Sequence, residues 1–307
     1  MEFIKGFTFL LTPSKTQGFA DQKTMDSLTL LKESTNCDHI ILALGALQDT
    51  PHSEKIDITG PHIPTDEELL KVIEHARTLG LKIILKPMLN CRDGEWRAFI
   101  NFFDHEVPCE PKWSVWFENY MSYILHYAEL AQQTNCEMLM IGCEMVMTER
   151  KEEYWRELVR RVRQVYHGPV TYNTDKYQEG EVKWWDCLDV ISASGYYPTG
   201  KWEENLDRIE QVVKKFNKPF FFAECGCMCK EGCTVAPNDW TYQGKYNLQI
   251  QADYFKEMFE ACSKRSWVEG YGFWAWTNVL NDSEDLDDGY GVYGKPSCQV
   301  IKDFYTK

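Results

Sequence analysis

The sequence predicts an α/β fold, a single (β/α)8 TIM barrel with long strand-to-helix loops at its C-terminal face. Three observations carry this. Eight short β-rich runs recur along 307 residues, and amphipathic helical stretches separate them. Each run is also almost continuously apolar, as suits strands covered on both faces. A chain of this length allows one large domain or two modest ones. The strand count, with no repeat and no low-complexity linker, points to one domain over residues 1–307.

The first run is Phe3–Leu10 and the second His39–Leu44. Pro64-Thr65-Asp66-Glu67-Glu68 then opens a helix, with Thr65 as cap and Glu68 three residues on as the return half of a capping box. Gly80 ends that helix at a position where a left-handed residue is expected. The third run, Leu81–Lys86, leads by a long connection to a helix over Trp113–Ala131. Met138–Cys143 is followed by a helix over Lys151–Val165, then by the runs Val170–Asn173, Val190–Ser194 and Pro219–Ala223. A helix over Leu248–Ser263 precedes the eighth run, Gly270–Trp276. The long connections follow the second, third and seventh runs, so elaboration collects at the end of the barrel that is functional in this fold. A doubly wound open sheet fits less well, because no Gly-rich phosphate fingerprint follows the first strand.

Composition narrows the function. Apolar residues make up 44% of the chain and aromatics 14%, enough for a substantial core. The net charge is −14, and so acidic a surface repels phosphate backbones and anionic lipid. Nucleic acid and membrane are therefore not expected as partners, and a monomeric chain is. A neutral or cationic substrate is not disfavoured, which leaves room for the neutral oligosaccharide or polysaccharide that the residues below point to. Twelve cysteines would suit a disulfide framework only in an oxidising compartment. Met1-Glu2-Phe3-Ile4-Lys5 opens with an acid, and the apolar run after it is broken by Thr8, Thr12 and Pro13 with no small-residue cleavage site. The expectation is a cytoplasmic protein with reduced thiols, although a chain trimmed of its leader would read the same.

Two glutamates stand out by position. Glu144 closes the run Met138–Cys143, and Glu224 closes Phe220-Phe221-Phe222-Ala223. A carboxylate at the end of an apolar strand has lost water and must be compensated or functional. In a barrel, residues ending the fourth and seventh strands project into one mouth. Tyr196 and Tyr197 follow the sixth strand, and Trp274 and Trp276 lie in the eighth. Each alone could be core, but two carboxylates beside an aromatic cleft are the chemistry of glycoside cleavage. One acid protonates the leaving oxygen, and the other attacks the anomeric carbon or activates water.

The chain resembles the retaining (β/α)8-barrel glycosidases and, more narrowly, glycoside hydrolase family 113, whose members are β-mannanases and β-mannosidases. The matching segments are Lys5-Gly6-Phe7-Thr8, Pro64 to Leu69, Gly80-Leu81-Lys82, Leu85-Lys86-Pro87, Arg92-Asp93-Gly94-Glu95-Trp96-Arg97, Ile141-Gly142-Cys143-Glu144, Tyr196-Tyr197-Pro198, Ala223-Glu224-Cys225-Gly226, Pro237-Asn238-Asp239-Trp240 and Gly294-Lys295-Pro296. The resemblance implies a retaining hydrolase of β-1,4-linked mannosides that needs no cofactor and no metal. Glu144 would be the acid/base. Glu224 would be the nucleophile, oriented by Tyr196 in preference to Tyr197. Trp276 or Trp274 would floor the sugar on the non-reducing side of the cut bond. Asn90, Arg92 and Asp93 would touch substrate hydroxyls or form a local loop network, and Trp184 and Trp185 would be a further platform or core.

The chain departs from the superfamily at Cys143, where many such barrels carry an Asn that holds the sugar 2-hydroxyl. Asn90 or Asn173 would then take that role. The thiols Cys225, Cys227, Cys229 and Cys233 could bind a soft metal, but they lack the paired C-x2-C knuckles of structural zinc sites, and reduced loop thiols are expected instead. The competing readings are the same chemistry on a glucan, xylan or amino-sugar oligomer, and an inert carbohydrate-binding barrel.

Overall fold

Eight parallel strands pair in chain order, and the last closes on the first. The computed structural model describes residues 1–280 and 289–307. The strands are β1 (Ile4–Leu10), β2 (His39–Gln48), β3 (Lys82–Cys91), β4 (Met138–Cys143), β5 (Val170–Thr174), β6 (Val190–Gly195), β7 (Phe220–Cys225) and β8 (Val268–Thr277). Among the described residues the helices are α1 (Gln22–Thr35), α2 (Asp66–Thr78), α3 (Trp113–Gln133), α4 (Glu152–Val165), α5 (Trp202–Phe216), α6 (Leu248–Cys262) and α7 (Pro296–Thr306). Among those helices none is long and apolar enough to cross a membrane.

No α-helix lies between β5 and β6, where the chain makes only a 3-10 turn at Trp185–Cys187. Trp184 and Trp185 cover the sheet there instead. Trp184 stacks on Trp155 of α4 at a centroid separation of 4.8 Å and lies 5.0 Å from the ring of Tyr172 on β5. Both indoles are fully buried, and their N–H groups donate to the carbonyls of Glu149 and Glu179. These two tryptophans are core, and the sugar-platform reading of them falls.

The local signals act as expected at α2. Thr65 accepts from the Glu68 N–H, and the Glu68 carboxylate accepts from the Thr65 N–H, so two otherwise orphaned donors are satisfied together. Gly80 follows the helix with φ +71°, open to glycine at no steric cost. β2 and β3 run further than their apolar stretches, paired without a break from His39–Lys82 to Gln48–Cys91. Gly45 and Pro87 read as breakers, but the register carries through both. Asn90 therefore sits within a strand, not in the loop after it.

The barrel interior holds an apolar plug of Ile4, Ile41, Ile84, Met138, Met140, Val190, Phe221 and Ala223. Toward the C-terminal end, Ala43, Met88 and Cys143 form the next layer, with Leu10 and Trp274 against them. A larger core fills the space between sheet and helices and includes Phe7, Phe9, Tyr197, Phe222, Phe273 and Trp276. Three register slips sit at this upper end, each placing one extra residue on one strand. They fall on β4 between Met140 and Cys143, on β7 between Phe222 and Glu224, and on β8 between Phe273 and Trp276. Bulges of this kind re-aim a side chain. Phe221 and Ala223 face the interior, so strict alternation would send Glu224 outward, and the extra residue turns it in.

Candidate active site

Glu224 is 4% exposed, and both of its oxygens are engaged. Its Oε1 accepts from the Lys86 ammonium and, at 3.2 Å, from the Cys143 thiol. Its Oε2 accepts from the Tyr196 hydroxyl at 3.0 Å. Burial opposes ionisation, but the charge and hydrogen bond of Lys86, helped by Arg97, outweigh it and hold the carboxyl below its ordinary value. Lys86 is itself fully buried. Burial works against its charge, and the acidic groups around it, Cys143 and Glu224 foremost, hold its pKa above the ordinary value. Its ammonium also donates to Asn173 Oδ1 at 2.9 Å and lies 5.7 Å from the centroid of the Trp274 ring.

Glu144 follows directly on β4, with φ +50°, a backbone region that non-glycine residues seldom occupy. The surroundings fix it there. Its N–H donates to Asn173 O at 2.7 Å, and the next N–H, of Met145, donates to the Tyr172 hydroxyl at 2.9 Å. The residue two before must be glycine, because a Cβ on Gly142 would stand 2.8 Å from the Tyr172 ring. The Glu144 carboxylate accepts from Ser194 Oγ at 2.7 Å on one oxygen. On the other it accepts from Trp96 Nε1 at 3.3 Å and from Arg97 Nη1 at 3.4 Å. Ser194 also accepts from Asn173 Nδ2 at 3.0 Å. A continuous hydrogen-bonded path thus joins the two glutamates through Ser194, Asn173 and Lys86.

The predicted aromatics divide by strand parity. On β6, Ser194 and Tyr196 face inward, whereas Tyr197 faces the helices. Its hydroxyl donates to Glu179, its ring packs edge-on against Trp202 at 5.2 Å, and it is fully buried. On β8, Trp274 is half-buried at the upper layer, with a cis peptide bond to Ala275. Trp276 pairs in register with the outward-facing Phe9. It is 1% exposed, donates to Ser27 Oγ of α1 and packs on Tyr293. Tyr197 and Trp276 therefore lie outside the site, and the sequence expectation for both is corrected.

Asn90 is half-buried, and its Oδ1 accepts from Arg97 Nη2 at 2.9 Å. Asn173 is fully buried, with both ends of its amide engaged. Arg92 pairs with Asp49 and Asp57, and the Asp93 carboxylate accepts from the Glu95 N–H, so both form an exposed loop network. Asp93 also lines a cleft of about 560 Å³ with Thr50, Pro51, His52, Glu95, Phe99, Asn101 and Met147.

A third acidic group lies just past Glu144. Glu149 is buried, with one oxygen accepting from Tyr172 and Thr174 at 2.8 Å each and the other without a partner. Burial pushes its carboxyl up to about 8. Asp175, at the end of β5, is pushed up to about 7 by burial and by the charge of Glu144. Among the described residues no group of three His, Cys, Asp or Glu side chains is arranged to hold a metal ion.

Sequence reasoning missed Lys86, Arg97, Trp96 and Ser194. Lys86 hid inside an apolar run, yet two-residue alternation with the inward Ile84 and Met88 would have found it. Trp96 and Arg97 lay within a quoted motif whose neighbours drew the attention.

A closed parallel barrel that offers two strand-end glutamates, one of them held ionised, has the architecture of the glycoside hydrolases. The comparisons make that class specific. The sequence profile of Glycoside Hydrolase Family 113 matches residues 7–295, and the chain belongs to that family. Two solved structures of a GH113 β-1,4-mannanase, one of them a complex, share 53% identity over the whole of both chains, with TM-scores of 0.98 and 0.97. The GH113 β-mannanase AaManA from Alicyclobacillus acidocaldarius, in complex with ManMIm, shares 36% identity over 100% of this chain and 98% of that one, with a TM-score of 0.94. A β-D-glucuronidase from Dictyoglomus thermophilum is 17% identical with a TM-score of 0.68 and shares the fold. No curated protein sequence matches the chain.

Proposed function

We propose that this protein hydrolyses β-1,4-linked mannosides with retention of configuration, Glu224 acting as nucleophile and Glu144 as acid/base. The observation that carries the assignment of roles is the clamp on Glu224. A fully buried carboxyl kept ionised by Lys86 and oriented by Tyr196 is a nucleophile ready to attack. The mannoside substrate rests on the three close mannanase structures.

In the first step a Glu224 oxygen bonds to the anomeric carbon while the glycosidic bond breaks, and Glu144 gives its proton to the departing oxygen. In the second step the Glu144 carboxylate takes a proton from water. The water oxygen attacks the anomeric carbon from the opposite face, and Glu224 leaves as a carboxylate. Negative charge thus passes from Glu224 to Glu144 and back. One cation serves each end: Lys86 contacts Glu224, and Arg97 contacts Glu144. Trp274, beside Lys86 at the upper layer, is the aromatic floor. Asn90, half-buried with its Oδ1 on Arg97, is assigned the sugar 2-hydroxyl, since Asn173 is spent on Lys86, Thr174 and Ser194.

The test is proton NMR of the first product released from a manno-oligosaccharide, run beside gluco- and xylo-oligosaccharides. The β-anomer should appear first from the manno-oligosaccharide and mutarotate afterwards. First appearance of the α-anomer would contradict the mechanism, and faster turnover of another sugar would contradict the substrate.

A further inference from the structure

The loop between β7 and α6 begins at Gly226, directly after the strand that carries Glu224, and contains a cysteine pair that the reaction does not use. Cys227 and Cys233 are fully buried, with their sulfurs 3.4 Å apart. The Cys233 thiol also donates to Met228 O at 3.2 Å. Hydrogen bonding from Cys227 is the main cause holding the Cys233 thiol down, to about 7, whereas Cys227 is pushed well up, so Cys233 is the thiol of the pair that ionises first. Two sulfurs in hydrogen-bond contact need only a small approach to reach bonding distance.

The two ends of the pair differ in how they are held. Cys227 is anchored to the barrel, for its carbonyl accepts from Gln251 Nε2 of α6 at 2.7 Å. Gly226 beside it packs so closely on the Trp274 carbonyl that an added Cβ would stand 2.8 Å away. Cys233 lies on the outward excursion, in a short 3-10 turn after Gly232, which has φ +85°. Its cover is thin: Glu231 and Gly232 are exposed on one side, and Val235 is 68% exposed on the other. A small opening of this turn, which the Thr199 N–H bond to Thr234 O at 3.0 Å ties to the loop after β6, would uncover Cys233.

We propose that Cys227 and Cys233 form a reversible dithiol–disulfide site that ties the outer part of this loop to its barrel-anchored start under oxidising conditions. The oxidant is a low-molecular-weight disulfide of the glutathione type. Cys233 loses its proton to solvent, and its thiolate attacks one sulfur of that disulfide, forming a mixed disulfide and releasing one small thiol. Cys227 then loses its proton to solvent and attacks the Cys233 sulfur, and the second small thiol leaves. Two protein thiols are oxidised, one small disulfide is reduced to two thiols, and the chain loses two hydrogens. The pair is a dithiol in a reducing compartment and a bond outside it. Closing the ring restricts the unfolded chain, so the oxidised protein melts several degrees higher.

The experiment is to equilibrate the intact protein with glutathione disulfide and glutathione at graded ratios, block the remaining thiols and measure mass, peptide linkage and melting temperature. The expected result is a loss of two hydrogens, a peptide crosslinked between Cys227 and Cys233, and a higher melting temperature that dithiothreitol reverses. Cys233→Ser should abolish the crosslink and the rise, while the exposed Cys109→Ser should leave both. A crosslink to Cys229, or glutathione added at Cys109 with no internal bond at any ratio, would overturn the proposal. Both readouts come from the wild-type chain, so the outcome does not depend on the variants folding.

Discussion

Glu224 and Glu149 are both buried glutamates near the C-terminal ends of strands, and each accepts hydrogen bonds from a tyrosine hydroxyl. Their carboxyls nevertheless shift in opposite directions. Glu224 is held below its ordinary value, whereas Glu149 is pushed up to about 8. Burial acts the same way on both, so it cannot be the difference. Hydroxyl donors do not decide it either, because Tyr172 and Thr174 give Glu149 two good bonds. The difference is the cation. Lys86 stands on Glu224, and no cation pairs with Glu149 among the described residues. In this barrel Lys86, helped by Arg97, marks off the buried nucleophile, while burial and the like charges of Asp175 and Glu179 keep Glu149 a neutral acid.

The largest effect expected from breaking that contrast is at the carboxylate itself. Glu224→Gln should lower kcat on the order of 10⁴-fold or more, and Glu144→Gln should do the same for substrates with poor leaving groups, measured by steady-state hydrolysis. Next comes Lys86→Met, which removes the cation but keeps the stem. It should cost on the order of 10²–10³-fold in kcat and move the acidic limb of the pH–rate profile upward, as Glu224 comes to resemble Glu149. An unchanged limb would mean that Lys86 only fills space.

Tyr196→Phe is smaller, because it removes one neutral donor to a charged acceptor. A loss of about 10- to 100-fold in kcat is expected, with little change in melting temperature.

The contrast also has a stability side. Between the ordinary glutamate value and about 8, the folded chain keeps the Glu149 proton that the unfolded chain has lost. Glu149 therefore makes stability fall as pH rises through that window. The Glu224 contribution has the opposite sign: it is present above the ordinary value and is lost as pH falls through the depressed one. Urea unfolding of Glu149→Gln across pH 5–8 should show a flatter profile than the wild type, with a difference of about 1–3 kcal/mol at the alkaline end.

The smallest expected effect sharpens the placement of the tryptophans. Trp276→Phe should lower the melting temperature by a few degrees and leave KM alone, while Trp274→Ala should raise KM.

Much of this was legible in the sequence, for identifiable reasons. Continuous apolar runs mark strands covered on both faces, and the Thr65–Glu68 box and Gly80 mark the limits of α2. Glu144 and Glu224 were legible because a charge that ends such a run is conspicuous. What failed was parity. The resemblance offers Tyr197 as the second choice to Tyr196 and Trp276 beside Trp274, yet alternation past the end of β6 and the slip on β8 turn Tyr197 and Trp276 outward. A separate bulge on β7 turns Glu224 inward against simple alternation, and no residue type announces either irregularity. Lys86 was half legible: alternation with Ile84 and Met88 turns it inward, but a charge in an apolar run reads as the end of a strand, and only barrel closure brings it to Glu224 from four strands away.

The most direct test of the central claim is covalent trapping. A 2-deoxy-2-fluoro-β-mannoside with a good leaving group should form a glycosyl-enzyme that turns over slowly, and peptide mass mapping should locate the sugar. The account predicts one adduct, an ester on Glu224, formed far more slowly in Lys86→Met. An adduct on Glu144 or Glu149, or steady hydrolysis with no adduct at any time, would contradict it.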